Sequence, residues 1–389
     1  MSSFGCGAGD RAPTVERVDS AGVQLVLSGA ADRPLAWTPD PLFTLGGEES
    51  GPESFYRVGD VWVGADLDGR IHILDLDAHR VVVFDADGAF LHAVGGAGGG
   101  PGELERPGPL SVTPDGIVSV FDYGKGALVR WDSAGNLLPQ IRFPHFPMIG
   151  GRHHRLLPDG YLVSSGGLDE TGERANRLLR VLGEDTTVLA SIPQPGRSEP
   201  AIFESCGGGI NFPPLFTPHV IWDHRGDLTA VVPGDAYRID LYRGRALVRS
   251  VRRSILPGEG TREAAIKEAG EGFRIDFGRG PCLVPPDEYA EARGWAATIP
   301  AISDVALRPG GGLWVQRRVP GEDDPPIDVF SDDGAYVGTL PAGTRFPALH
   351  LPNGRFGLVA VDEMDVGRLE VVEVSGGPLV PDVRDPGGP

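Results

Sequence analysis

Six pairs of glycine turns divide this chain into strand pairs of nearly constant length. The first turn of each pair falls at Gly69, Gly116, Gly160, Gly226, Gly312 and Gly354, and the second at Gly88, Gly135, Gly183, Gly244, Gly334 and Gly376. The turns of a pair lie 18 to 23 residues apart, and apolar and polar residues alternate between them as a half-buried strand requires. Asp-Gly and Asn-Gly steps supply the positive φ of tight hairpins. Each unit therefore reads as a small antiparallel meander.

First turns recur at intervals of 42 to 86 residues, and the shorter intervals match the ~40 to 50 residues of a four-stranded propeller blade. A lone meander cannot bury both faces, whereas a radial ring of them leaves only short edges. The fold class is all-β, a six-bladed β-propeller. The 58 Gly and 36 Pro among 389 residues fit many turns between short strands. The run GGAGGGPG, residues 95 to 102, looks at first like a phosphate cradle. The segment after it contains Pro107 and Pro109 and no helical period, so the anion-binding helix N-terminus is missing and the run reads as a crossover between blades.

The stretch from Asp68 to Asp122, with its Arg-Val-x-x-Phe-Asp strand, Asp-Gly turn and Gly-rich connector, resembles consecutive NHL-type repeats. The likeness is specific over residues 56 to 143 and looser beyond, where blade three lacks the Phe-Asp signature. The whole chain is similar to bacterial exported six-bladed propellers, many of them lipoproteins. This resemblance implies export to the periplasm or cell surface, with the cytoplasm left open.

Ring closure needs a strand from the N-terminus, since the last repeat supplies only three. GVQLVLSG, residues 22 to 29, is the candidate for the outer edge of blade six, where it would hide an exposed edge. Residues 1–14 read as a flexible tether, 15–377 as the propeller and 378–389 as a disordered tail. A helical insertion after blade four, about residues 257–295, has Thr261 as a candidate N-cap and Pro286 near a second helix start. It reads either as a lid over the channel or as a packing cap.

Cys206 and Cys282 lie in the irregular stretches flanking blade four and are a candidate disulfide. Cys6, in Phe4-Gly5-Cys6-Gly7, matches the small-residue context of a lipid-carrying cysteine and is the candidate lipidation site, its signal segment lying upstream of Met1. The net charge of −19 opposes nucleic acid and anionic membranes. A membrane contact is expected only through a lipid on Cys6.

Polar residues where innermost strands begin are the candidates for a channel site: Arg152, His153, His154, His219, Asp304 and Arg345. Adjacent strand residues face opposite sides, so His153 and His154 cannot both reach the axis without a bulge. A calcium hydrolase would want axial Asn oxygens, and the four Asn residues stand elsewhere. No G-x-S-x-G elbow is present. The Asp75, Asp85, Asp122 and Asp132 carboxylates read as acceptors of turn N–H groups. The resulting expectation is a monomeric, non-enzymatic exported propeller without metal or cofactor. Arg152, His154 and His219 would bind a protein or an anionic small molecule at the channel mouth. The competing reading is a metal-dependent hydrolase or lyase using axial His and Asp.

Overall fold

The computed structural model describes residues 15–374 apart from 37, 47–50, 52–53, 56–57, 59–61, 143–153, 169–170, 195–199, 309–310 and 362–365. Six antiparallel sheets follow one another around an axis. Blade one comprises Val63–Ala65, Ile71–Asp75, Arg80–Phe84 and Phe90–Gly95, and blade two Pro107–Val112, Val118–Asp122, Ala127–Trp131 and Leu137–Arg142. His154–Leu157, Gly160–Leu168, Arg174–Leu182 and Asp185–Pro193 form blade three. Blade four is built on Ile221–Arg225, Leu228–Val232, Arg238–Arg243 and Ala246–Arg253, and blade five on Ile302–Leu307, Leu313–Arg317, Ile327–Phe330 and Tyr336–Leu340. Blade six runs Leu349–His350, Arg355–Val361 and Gly367–Val374.

The core lies between blades rather than within them. Leu74, Val83 and Val120 join blades one and two, Phe121 and Val163 join two and three, and Leu162 and Trp222 join three and four. The ring continues through Ile239 and Val305, Trp314 and Phe356, and closes through Leu369 and Ile71. The four repeat carboxylates accept turn N–H groups as expected: Asp75 from Asp77 and Ala78, Asp85 from Asp87 and Ala89, Asp122 from Gly124 and Lys125, and Asp132 from Ala134 and Asn136. The glycine run is a crossover from blade one to blade two. Gly95, Gly96 and Gly98 have φ of 98°, 137° and 152°, values that side-chain-bearing residues avoid.

Ring closure uses a different segment from the one expected. Val23–Ser28 does form a strand, but it pairs in parallel with Ala246–Arg253 on the outer edge of blade four. The outer strand of blade six is Pro39–Leu45, antiparallel to Gly367–Val374. Two prolines discourage reading PDPLFTL as a strand, yet an edge strand has one side free of partners and tolerates them. Val15–Ser20 extends blade four to six strands. Between these strands the chain crosses blade five, where Leu35 N–H donates to Thr339 O at 2.9 Å and Thr339 N–H to Arg33 O at 2.7 Å. The described residues between 15 and 45 thus form a belt outside three blades.

Candidate functional site

The expected channel residues do not assemble. Arg152, His153 and Cys6 lie outside the described residues. His154 is buried in the interface of blades two and three, with Nε2 3.3 Å from Ser119 Oγ. The period-2 alternation that turns His154 toward blade two turns its neighbour Arg155 toward blade four. His219 stands exposed before blade four's first strand. Asp304 accepts the N–H of Val305 at a bulge. Arg345 pairs with Glu370 in blade six's third strand rather than pointing to the axis.

The polar groups that do converge on the axis come from Ile221–Arg225 and from Arg155. Arg155 Nη2 lies 3.6 Å from Asp223 Oδ1, and Asp223 Oδ2 accepts the N–H of Leu307 at 2.7 Å. One carboxylate therefore ties blades three, four and five. Arg225 Nη2 reaches past blade five to donate to His350 O of blade six at 3.1 Å. His224 Nδ1 lies 3.0 Å from Thr229 Oγ1. Burial first, then Arg155, lowers the His224 imidazole to about 4. The polar run Asp223-His224-Arg225 at a strand end is the available sequence signal for this group.

A neutral His224 makes stability acid-sensitive. The unfolded imidazole, with the ordinary value of 6.5, binds a proton that the folded one refuses until about 4, so stability is full above 6.5 and falls as pH drops between those values. His224→Gln is expected to lessen the loss between pH 7 and pH 4.5 by on the order of 2 kcal/mol, read from urea melts at both pH values. Equal losses in the variant and the parent protein would reject this role.

The second constellation is built from the two insertions that flank blade four. Helix α1, Arg262–Ala269, begins at Thr261, whose hydroxyl accepts Ala264 N–H at 3.1 Å. Helix α2, Pro286–Arg293, starts with proline at its first turn. The hairpin of Ala201–Phe203 and Gly208–Ile210 comes from the other insertion, and the two are joined where Leu215 N–H donates to Gly294 O and Ala296 N–H to Leu215 O, each at 2.8 Å. Phe203 stacks on Tyr289, Tyr289 on Phe273, and Phe212 meets Phe273 edge-on. Cys206 and Cys282 are bonded, with Cα atoms 5.8 Å apart. The unit has its own small cores.

This cap stands on the loops of blades four and five. Arg318 pairs with Glu268 of α1, and Thr298 Oγ1 donates to Asp235 Oδ2 at 3.1 Å. Both insertions connect an outermost strand to the next innermost strand, so they emerge where the innermost strands begin. These contacts make it a side cap; none described spans the axis as a lid. On its surface a shallow concavity of about 530 Å³ is lined by Ile202, Glu204, Ser205, Glu288, Glu291 and Ala292. Ile202 is 56% exposed and Leu283 48%. Among the described residues no group of three or more His, Cys, Asp or Glu gathers as a metal site, and no helix is long and apolar enough to cross a membrane.

Residues 58–163 match a family model described as a six-bladed β-propeller. That description makes no mention of NHL repeats, so the NHL-type character of the repeats rests on the motifs alone. No curated protein matches the sequence. Among solved structures, a member of the DUF4221 family from Bacteroides vulgatus is 9% identical, covers 92% of this chain and 98% of its own, and superposes with a TM-score of 0.52. A candidate exported protein from Bacteroides fragilis is 11% identical over 90% of this chain and 100% of its own, with a TM-score of 0.49. At such identities the likeness reaches the fold and stops there; the chain is a six-bladed β-propeller.

Proposed function

We propose that the protein is a non-enzymatic exported propeller that binds a protein partner through the cap on blades four and five. The observation that carries this reading is the cap itself. Two stretches separated by the whole of blade four fold together, share cores and are stapled by a disulfide, although the strands of blade four pair without them. A loop structure kept rigid on a regular scaffold is where binding surfaces gather. The staple also supports an oxidising compartment, because such bonds persist outside the reducing cytosol. Ile202 and Leu283 give the cap an apolar contact surface beside the carboxylates of Glu204, Glu288 and Glu291.

The test places a photo-crosslinking residue at Ile202, at Leu283 or, as a control, at Leu137 on the outer strand of blade two, which is 44% exposed. Cells of the native host are irradiated and fractionated. The expected result is one protein captured from both cap positions and not from the control, in the envelope fraction. Its binding to the purified propeller should then weaken roughly tenfold or more on Ile202→Asp, the scale of a hot-spot contact. Identical products from all three positions, or none, would overturn the reading.

A further inference from the structure

The outer edges of the blades are not alike. Phe90–Gly95, Leu137–Arg142, Asp185–Pro193, Tyr336–Leu340 and Pro39–Leu45, the outermost strands of blades one, two, three, five and six, each pair with their inner neighbour through a register shift. A bulge bends an edge out of line, and natural sheets use it to refuse a further strand. Blade four ends differently. Its outermost strand, Val15–Ser20, pairs with Val23–Ser28 residue for residue without a shift, and its sequence VERVDS holds neither proline nor glycine. Among the described residues no strand lies beyond it.

The hairpin turn fixes which backbone groups this edge presents. Ala21 and Gly22, with φ of 51° and 83°, form a two-residue loop closed by the pair Ser20–Val23. In such a hairpin the closing pair is hydrogen-bonded, and bonded pairs then alternate along the strands. Glu16, Val18 and Ser20 therefore bond inward, and Val15, Arg17 and Asp19 turn their N–H and C=O groups outward. The Arg17 side chain pairs with Asp333 of blade five. Val18, 39% exposed, lies on the opposite face beside Leu25. Two extra strands carry the edge about 10 Å beyond a four-stranded blade at the usual strand spacing, so a second sheet can approach it clear of blades three and five.

We propose that this edge pairs with the same edge of a second copy, in a two-fold dimer whose sheet runs unbroken through both fourth blades. A two-fold axis between antiparallel edges makes one residue face its own copy. An axis at Glu16, Arg17 or Asp19 would bring like charges together. An axis at Val18 instead sets Arg17 opposite the partner's Asp19, and Asp19 opposite the partner's Arg17. These are the residues with outward backbone groups, so each such pair exchanges both backbone hydrogen bonds. Val18 then meets the partner's Val18 at the close, unbonded pair, with Leu25 on either side extending an apolar row. Both edges are used up, so assembly stops at two. Each chain carries a net charge of −19, a repulsion that physiological salt screens beyond about 8 Å. A seam of two six-residue strands belongs to the small, weak class of interfaces. The dimer replaces the monomer expected from the sequence, and it rests on blade four alone, independently of the cap.

Sedimentation equilibrium of the purified protein at physiological salt, over a range of concentrations, measures the mass. It is expected to rise from one chain toward two. Arg17→Asp and Asp19→Arg each set like charges opposite one another on both sides of the axis, and each should weaken self-pairing roughly tenfold or more. Neither side chain is buried, so both variants should fold. Mixed with each other, the two variants bring opposite charges together again, and a dimer containing one chain of each is expected. Amide exchange of the parent protein gives a second readout that needs no variant: the N–H groups of Arg17 and Asp19 should exchange more slowly as concentration rises. A parent mass that stays at one chain up to about 1 mM would leave the edge to some other strand and overturn the proposal. So would variants that pair as well as the parent, a mixture that stays single, or unchanged exchange at Arg17 and Asp19.

Discussion

Replacing Asp328 by Ala is expected to destabilise the protein by about 3–5 kcal/mol, the cost of leaving buried cations without their counter-charge. Asp328 is fully buried and accepts hydrogen bonds from Tyr237 Oη at 2.6 Å, Thr339 Oγ1 at 2.6 Å and Arg317 Nη2 at 2.7 Å. Arg253 Nη1 stands 2.9 Å away as an ion pair. The same Arg253 donates to Gly29 O, Ala30 O and Ala31 O of the N-terminal belt and lies 3.9 Å over the ring of Tyr336. Asp32 of the belt joins both arginines, and Arg317 first of all holds its carboxyl below the usual range. The variant should therefore loosen the belt as well as the interface of blades four and five. Urea melts measure the total, and amide exchange of residues 23–28 reports belt release. A loss below about 1 kcal/mol, the scale of a surface pair, would show that the network contributes little.

Opening the disulfide is expected to have a comparable effect, but confined to the cap. The bond spans 76 residues, for which the chain-entropy estimate is about 4 kcal/mol. The loop it closes contains all of blade four, whose strands are held by their own ladders and by the clusters of both neighbouring blades. The small core of Ala201, Phe203 and Val284 has far less to hold it. Cys206→Ser with Cys282→Ser should therefore lose amide protection over residues 201–210 and 273–284 while the blades keep theirs. Uniform loss across the blades, or none in the cap, would contradict this account.

The propeller is legible in the sequence because its determinants are local. Most of the described turn glycines, Gly69 and Gly88 among them, do take positive φ, although Gly160 and Gly312 do not; together with alternating strand faces and the distance between turns, they announce the blades in order. The helices of the cap are legible for the same reason: Thr261 and Pro286 mark helix starts by backbone chemistry within one turn. The closing strand is not. That an N-terminal strand must complete blade six follows from counting, but GVQLVLSG and PDPLFTL both satisfy local strand rules, and edge geometry chooses between them. The axial site is hidden in the same way. His154 stands out by residue type, but strand alternation decides which neighbour a side chain meets, and Arg155 rather than His154 reaches Asp223 of blade four.

What the sequence by itself determined is the number, order and strand content of the blades and the places where insertions leave them, because each depends on residues a few positions apart. What only the tertiary structure decided is which polar residues meet. Arg155, Asp223 and Arg225 approach one another from blades three and four and reach toward blade six, and Arg253, Asp328 and Asp32 do so from two blades and the belt. Such encounters are set by the closing of the ring and the pairing of its edges, and no period along the chain encodes them.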